Sequence, residues 1–167
     1  MLAGIVNNRP GRRGYKRGHP ACCGPMGRAA AACVNLVALR ELMIVGTGID
    51  IAEVARVGAA IQRFGDRFLR RIFTENEIRY CQSKHNAVER FAARFAAKEA
   101  ALKAIGTGWR RGVGWKEVEV GREPGGRPTI GFSGKAAEFA DRLGARRASL
   151  SLSHTAEQAI AQVILED

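Results

Sequence analysis

A carboxylate among apolar neighbours is the first sign of chemistry in this chain. Val88, Phe91, Ala92, Phe95, Leu102 and Ile105 recur at helical spacing and predict one apolar stripe over 86–105. At about 100° per residue, Glu99 falls only roughly 50° from the centre of that stripe. A carboxylate there is costly unless it is paired or holds a metal. Lys98 and Lys103 flank the stripe, and Arg94 lies further round beside Lys98. The plainest reading is a Glu99–Lys103 pair at i,i+4. A second carboxylate, Asp50, ends the glycine-punctuated run Gly46-Thr-Gly-Ile-Asp50. It suits a helix N-cap for 51–64. Alternatively, Gly46 and Gly48 admit a phosphate and Asp50 holds a hard cation. Mg²⁺ takes one or two carboxylates plus phosphate oxygens, so Asp50 and Glu99 are a candidate pair. The glycines do not form a P-loop, because no G-x-x-x-x-G-K-[ST] is present.

The third candidate is Ser149-Leu-Ser-Leu-Ser-His154. Strand alternation puts the three serines on one face and the leucines on the other, with His154 at the strand end. Such a histidine is either a surface residue or a donor to phosphate. A Ser–His hydrolase fits poorly, since Ser153 and His154 point to opposite sides and no nucleophile elbow exists.

These residues need elements to hold them. A β-like run over 43–49 precedes a helical pattern over 54–64. Thr74 with Glu77 three residues on is a capping box, so a short helix starts near Glu75. The longest helical pattern is 86–105, with Gly106 suited to its C′ position. Residues 116–120 alternate as a strand, Glu123-Pro-Gly-Gly126 is turn chemistry, and Pro128–Phe132 returns. Residues 136–143 read as a helix stopped by Gly144, and 148–153 and 159–165 as two strands. No regular βαβ alternation is present, so the expected fold is α+β: a mainly antiparallel sheet packed against one long helix and shorter ones.

Composition narrows the classes. The 167 residues are 46% hydrophobic and 26% charged, ordinary for a globular chain. No run of about 18 apolar residues exists, so no membrane span is expected. Net charge is +11, which favours anionic partners. More than half of that excess lies in residues 1–42, which hold seven basic side chains and one acid, Glu41. With aromatic content at 7% and no zinc module or stacking platform, a nucleic-acid-binding module is disfavoured. Residues 7–25 have little to bury and read as disordered; 29–39 suit a short helix. Signal-peptide and transit-peptide features are incomplete there. The abrupt change to patterned sequence at Met43 favours one domain over 43–167, with 1–42 a dispensable basic leader or a mis-called start. Cys22, Cys23 and Cys33 then frame nothing, and Cys81 alone remains, which fits a reduced, cytoplasmic setting.

In chain order, Gly48-Ile-Asp-Ile51, Phe73-Thr-Glu-Asn-Glu77, Arg94-Phe-Ala-Ala-Lys-Glu-Ala100, Gly106-Thr-Gly108 and Ser151-Leu-Ser-His154 resemble the holo-[acyl-carrier-protein] synthase family, the compact class of 4′-phosphopantetheinyl transferases. The resemblance spans 43–167 and none of the leader. It implies transfer of phosphopantetheine from coenzyme A to a serine of acyl carrier protein, for fatty acid or polyketide biosynthesis, with Mg²⁺ and release of adenosine 3′,5′-bisphosphate. It makes Asp50 and Glu99 the metal ligands and puts Lys103 at the pyrophosphate. It assigns coenzyme A binding to Arg94, His154, Arg127 and the loop glycines Gly106 and Gly108. It gives Arg56 to the acidic recognition helix of the carrier protein. It also implies a homotrimer with the site between subunits. One departure is Gly125, where the family often has Asn.

Overall fold

The computed structural model describes residues 43–108 and 111–167. The leader's expected disorder, its helix at 29–39 and its three cysteines lie outside them. Strand β1 (Ile44–Glu53) leads into helices α1 (Val54–Ile72), α2 (Glu75–Gln82) and α3 (Ala87–Ala104). A 3₁₀ turn, Trp115–Glu117, opens the hairpin β2 (Val118–Arg122) and β3 (Pro128–Phe132). Helix α4 (Gly134–Arg142) and strands β4 (Arg147–His154) and β5 (Gln158–Glu166) complete the domain. The sheet order is β1-β5-β4, and every pairing, including β2 with β3, is antiparallel. The α+β expectation holds.

Helix α3 is the axis of the core, and alanine makes that arrangement work. Ala92, Ala93, Ala96, Ala97, Ala100, Ala101 and Ala104 are all buried, so strands approach it closely. The approach is tightest at β1. A Cβ on Gly48 would sit 2.0 Å from Ala100 O, and one on Gly46 would sit 2.4 Å from Ala104 O. These glycines therefore seat a strand on a helix backbone; a phosphate is not what they admit. The helix ends in a Schellman motif: Gly106 takes φ +72°, its N–H donates to Lys103 O at 3.0 Å, and Thr107 N–H donates to Leu102 O at 3.1 Å.

Two boundaries differ from expectation. Strand β1 runs through Asp50 to Glu53, so Asp50 caps no helix; Glu53 is the N-cap, without a side-chain cap bond. The cause is pairing with β5, which continues to Glu53↔Gln158, followed by Val54 N–H to Glu157 O at 2.8 Å. Helix α1 extends past Phe64 after a break at Gly65, whose φ of 52° and ψ of −138° suit only glycine.

The capping box at Thr74 and Glu77 is present, but Glu77 does more. Its Oε2 lies 2.9 Å from Lys98 Nζ, and both side chains are 0% exposed. Lys98 also donates to Trp115 O at 3.1 Å and to Val118 O, while Glu77 Oε1 accepts from Val120 N–H at 3.0 Å. One buried ion pair thus joins α2, α3 and the start of β2. Burial pulls the Lys98 ammonium below its ordinary value, against the opposing pull of Glu77.

Candidate active site

Helix α3 is buried almost all round, and the amphipathic stripe expected for it is not its organising feature. Val88 is in fact 38% exposed. Phe95 and Glu99 are only half-buried and Lys103 is exposed; at i, i+4 and i+8 they form the helix's open line. Glu99 therefore faces a cleft. Lys103 Nζ turns from Glu99 to the strand, 2.7 Å from Asp50 Oδ1 and 3.0 Å from Ile49 O. The simple Glu99–Lys103 pair is thus replaced by Lys103–Asp50.

Burial, then the charge of Asp50, raises the Glu99 carboxyl above its ordinary value; Lys103 and Arg56 oppose the shift. Asp50, Glu99, Lys103 and Arg56 therefore share one electrostatic site. Arg56 is exposed in the first turn of α1. A cavity of about 570 Å³ opens where Glu99 meets Phe64, Arg67, Phe68, Arg71 and Trp115. Trp115 stacks on Phe95 with centroids 5.2 Å apart. Glu99 on the cleft and Asp50 beside it, joined through Lys103, are a hard-oxygen donor set that fits a divalent cation with phosphate. Among the described residues no cluster of three or more His, Cys, Asp or Glu side chains supplies a fuller cage.

A second cluster lies elsewhere. Arg94 is buried, and with Arg90, Arg122, Tyr80 and His154 it lines a cavity of about 170 Å³. His154 Nδ1 sits 3.4 Å from Glu89 Oε2. Arg94 and His154 are thus brought together, 60 residues apart in sequence. Arg127 is exposed on the hairpin turn and outside this lining, which Gly126 and Pro128 reach instead. Gly106 and Gly108 both take positive φ. Sequence reasoning missed Arg122 and Tyr80, which carry no motif. It also missed the role of Lys98; Glu77 was visible only as a cap. Cys81 is free and buried, its thiol pushed up to about 11, chiefly by burial.

Comparison with known proteins identifies relatives of this chain. Residues 46–162 match the model of the 4′-phosphopantetheinyl transferase superfamily. The holo-[acyl-carrier-protein] synthase of Koribacter versatilis is 73% identical over 125 residues, 75% of this chain and 100% of the relative. That of Solibacter usitatus is 54% identical over the same coverage. Among solved structures, the Neisseria meningitidis synthase superposes with a TM-score of 0.69 at 34% identity, covering 75% of this chain and 100% of that one. The Helicobacter pylori synthase, solved in complex with coenzyme A, gives 0.63 at 33% identity, covering 71% and 98%. On these grounds the chain belongs to the 4′-phosphopantetheinyl transferase superfamily, within its holo-[acyl-carrier-protein] synthase family.

Proposed function

We propose that this enzyme transfers 4′-phosphopantetheine from coenzyme A to a serine of apo acyl carrier protein, releasing adenosine 3′,5′-bisphosphate and serving fatty acid biosynthesis in the cytoplasm. The observation that carries the reading is the Asp50–Lys103 pair at 2.7 Å beside Glu99, on the open line of the central helix. The serine oxygen attacks the phosphorus bearing pantetheine and gives up its proton to solvent; the bond from that phosphorus to the bridging oxygen breaks, its electron pair leaving on adenosine 3′,5′-bisphosphate. The nucleophile comes from the carrier protein, so this chain needs none of its own. Asp50 and Glu99 would hold Mg²⁺, which would supply charge to offset that of the pyrophosphate. Lys103 Nζ stabilises the departing phosphate. Arg56 beside the site meets the acidic surface of the carrier protein, where a charge acts mainly on encounter. Arg94 and His154, together with the glycine loop at Gly106 and Gly108 and the hairpin at Arg127, take the nucleotide end.

An oligomer suits this arrangement. Asp50 lies on one edge strand of the sheet and His154 on the other, two strand spacings or about 10 Å apart. On α3, Glu99 and Arg94 are separated by roughly 140°. A second copy that brings its His154 edge to the Asp50 edge joins the two halves. The outer sheet face also leaves Ile49, Ile51 and Ile160 at 54%, 58% and 38% exposure, an apolar surface suited to self-association. These features support a homotrimer with the site between subunits. Among the described residues no helix is long and apolar enough to cross a membrane.

The test is the mass shift of apo carrier protein incubated with enzyme, coenzyme A and Mg²⁺. Chelation stops transfer and added Mg²⁺ restores it. Asp50→Ala and Glu99→Ala each slow it at least about 100-fold, the equivalent of several kcal/mol of lost charge stabilisation. Full activity in chelator, or in either variant, sinks the metal assignment.

A further inference from the structure

Arg94 is 4% exposed, and its Nε has no hydrogen-bond partner among the described residues. A buried guanidinium N–H left unpaired is a cost to folding. Its neighbours hold it in place. The guanidinium lies over the Tyr80 ring, 4.2 Å from the centroid. Arg122 reaches the same ring at 5.5 Å. It also donates through Nη1 to the Tyr80 hydroxyl, and through Nε and Nη2 to Gly126 O at 3.1 and 2.9 Å. One tyrosine on α2 therefore gathers two like charges that otherwise repel, and ties the β2–β3 turn to the helix. Cation–π attraction and the hydroxyl offset that repulsion. Both side chains are fixed before any ligand arrives, so little rotamer freedom remains to be lost on binding.

No carboxylate is among the residues lining this cavity, which also include Arg90 and His154. Coenzyme A carries two phosphate groups: a pyrophosphate, suited to the Asp50–Glu99–Lys103 cleft, and a 3′-phosphate, a dianionic monoester. Paired guanidinium groups match the monoester. We propose that Tyr80 is a positioning residue that sets Arg94 and Arg122 around this cavity, and that Arg122 joins Arg94 in reading the 3′-phosphate. Tyr80 thereby sets the preference for coenzyme A over 3′-dephospho-coenzyme A. This rests on the coenzyme A reading given above.

Binding of both compounds to the full chain, measured by calorimetry, tests it. The wild type binds coenzyme A about tenfold or more tightly than 3′-dephospho-coenzyme A, as loss of charge-assisted hydrogen bonds requires. Tyr80→Leu loses most of that factor for coenzyme A and binds the dephospho compound within about twofold of wild type. Tyr80→Phe keeps the ring beneath both guanidinium groups and removes only the hydroxyl that accepts from Arg122; it falls between wild type and Tyr80→Leu. If the wild type binds neither compound, the coenzyme A reading itself fails. If it binds both equally, the 3′-phosphate assignment fails. Should the wild type discriminate while folded Tyr80→Leu does so equally well, or loses both compounds in parallel, the role of Tyr80 is overturned. If Tyr80→Leu does not fold, undiminished discrimination in Tyr80→Phe and Arg122→Ala overturns it as well.

Discussion

Replacing Lys98 with methionine isolates the buried ion pair. The side chain keeps its length but loses its charge and its three contacts, to Glu77 Oε2 at 2.9 Å, Trp115 O at 3.1 Å and Val118 O. Glu77 is 0% exposed, so no water takes the place of the ammonium. Breaking a buried pair by removing one partner costs about 3–5 kcal/mol. A domain of this size loses about 4 °C of Tm per kcal/mol, so a fall of about 12–20 °C is expected. Urea and thermal unfolding at one fixed protein concentration measure it, because assembly shifts apparent stability. In the double variant Lys98→Met/Glu77→Gln, the amide oxygen still accepts from Val120 N–H and the stranded charge is gone. About 2 kcal/mol returns relative to Lys98→Met, and with the Glu77→Gln single variant the cycle gives the coupling. A single-variant loss below about 1 kcal/mol, or additive losses in the cycle, refutes the argument that the pair is dry and coupled.

Gly48→Ala forces a Cβ to 2.0 Å from Ala100 O; it costs about 3 kcal/mol and lowers transfer in the fraction that stays folded, measured by unfolding and by the carrier-protein mass shift. Arg56→Glu raises KM for carrier protein and leaves coenzyme A affinity unchanged. Its defect narrows with added salt, since exposed charges are screened within about 8–10 Å; a selective loss of coenzyme A binding moves Arg56 into the nucleotide site. Cys81, buried with its thiol near 11, resists alkylation at pH 8 until the protein unfolds, as mass spectrometry of iodoacetamide-treated samples will report. A chain beginning at Met43 melts and transfers as the full chain does, a direct comparison of the two forms.

Features decided by neighbours in sequence were the legible ones. Thr74 and Glu77 announced their capping box because both partners lie within one turn, and the β3 limits followed from Pro128 and the preceding glycines. Where a distant strand decides, sequence reading stopped short: β1 outruns its apolar pattern because β5 pairs with it to Glu53. Glu99 was singled out as anomalous through a stripe that does not organise the helix. Alanine buries as readily as leucine when strands come close, so the open side of α3 was invisible to a hydrophobic count. Arg94 and His154 were joined by family resemblance, and spacing alone offered no reason to pair them. Lys98 reaches Glu77 across 21 residues, and no periodicity encodes that.

The contact of β1 with α3 has a wider consequence. Asp50 and Glu99 sit on separate elements, yet between those elements backbone meets backbone at Gly48 and Ala100. At Gly48 the three nearest atoms are all backbone, of Ala100 and Ala104, so repacking of side chains has little to act on there. The spacing of the two carboxylates is therefore set by main chain at this point and not by how the leucines and valines of the core pack around it. The two glycines and the alanines opposite them have little freedom to change. A designer moving this site to another scaffold would need to carry over the bare strand-on-helix crossing before any of the charged residues.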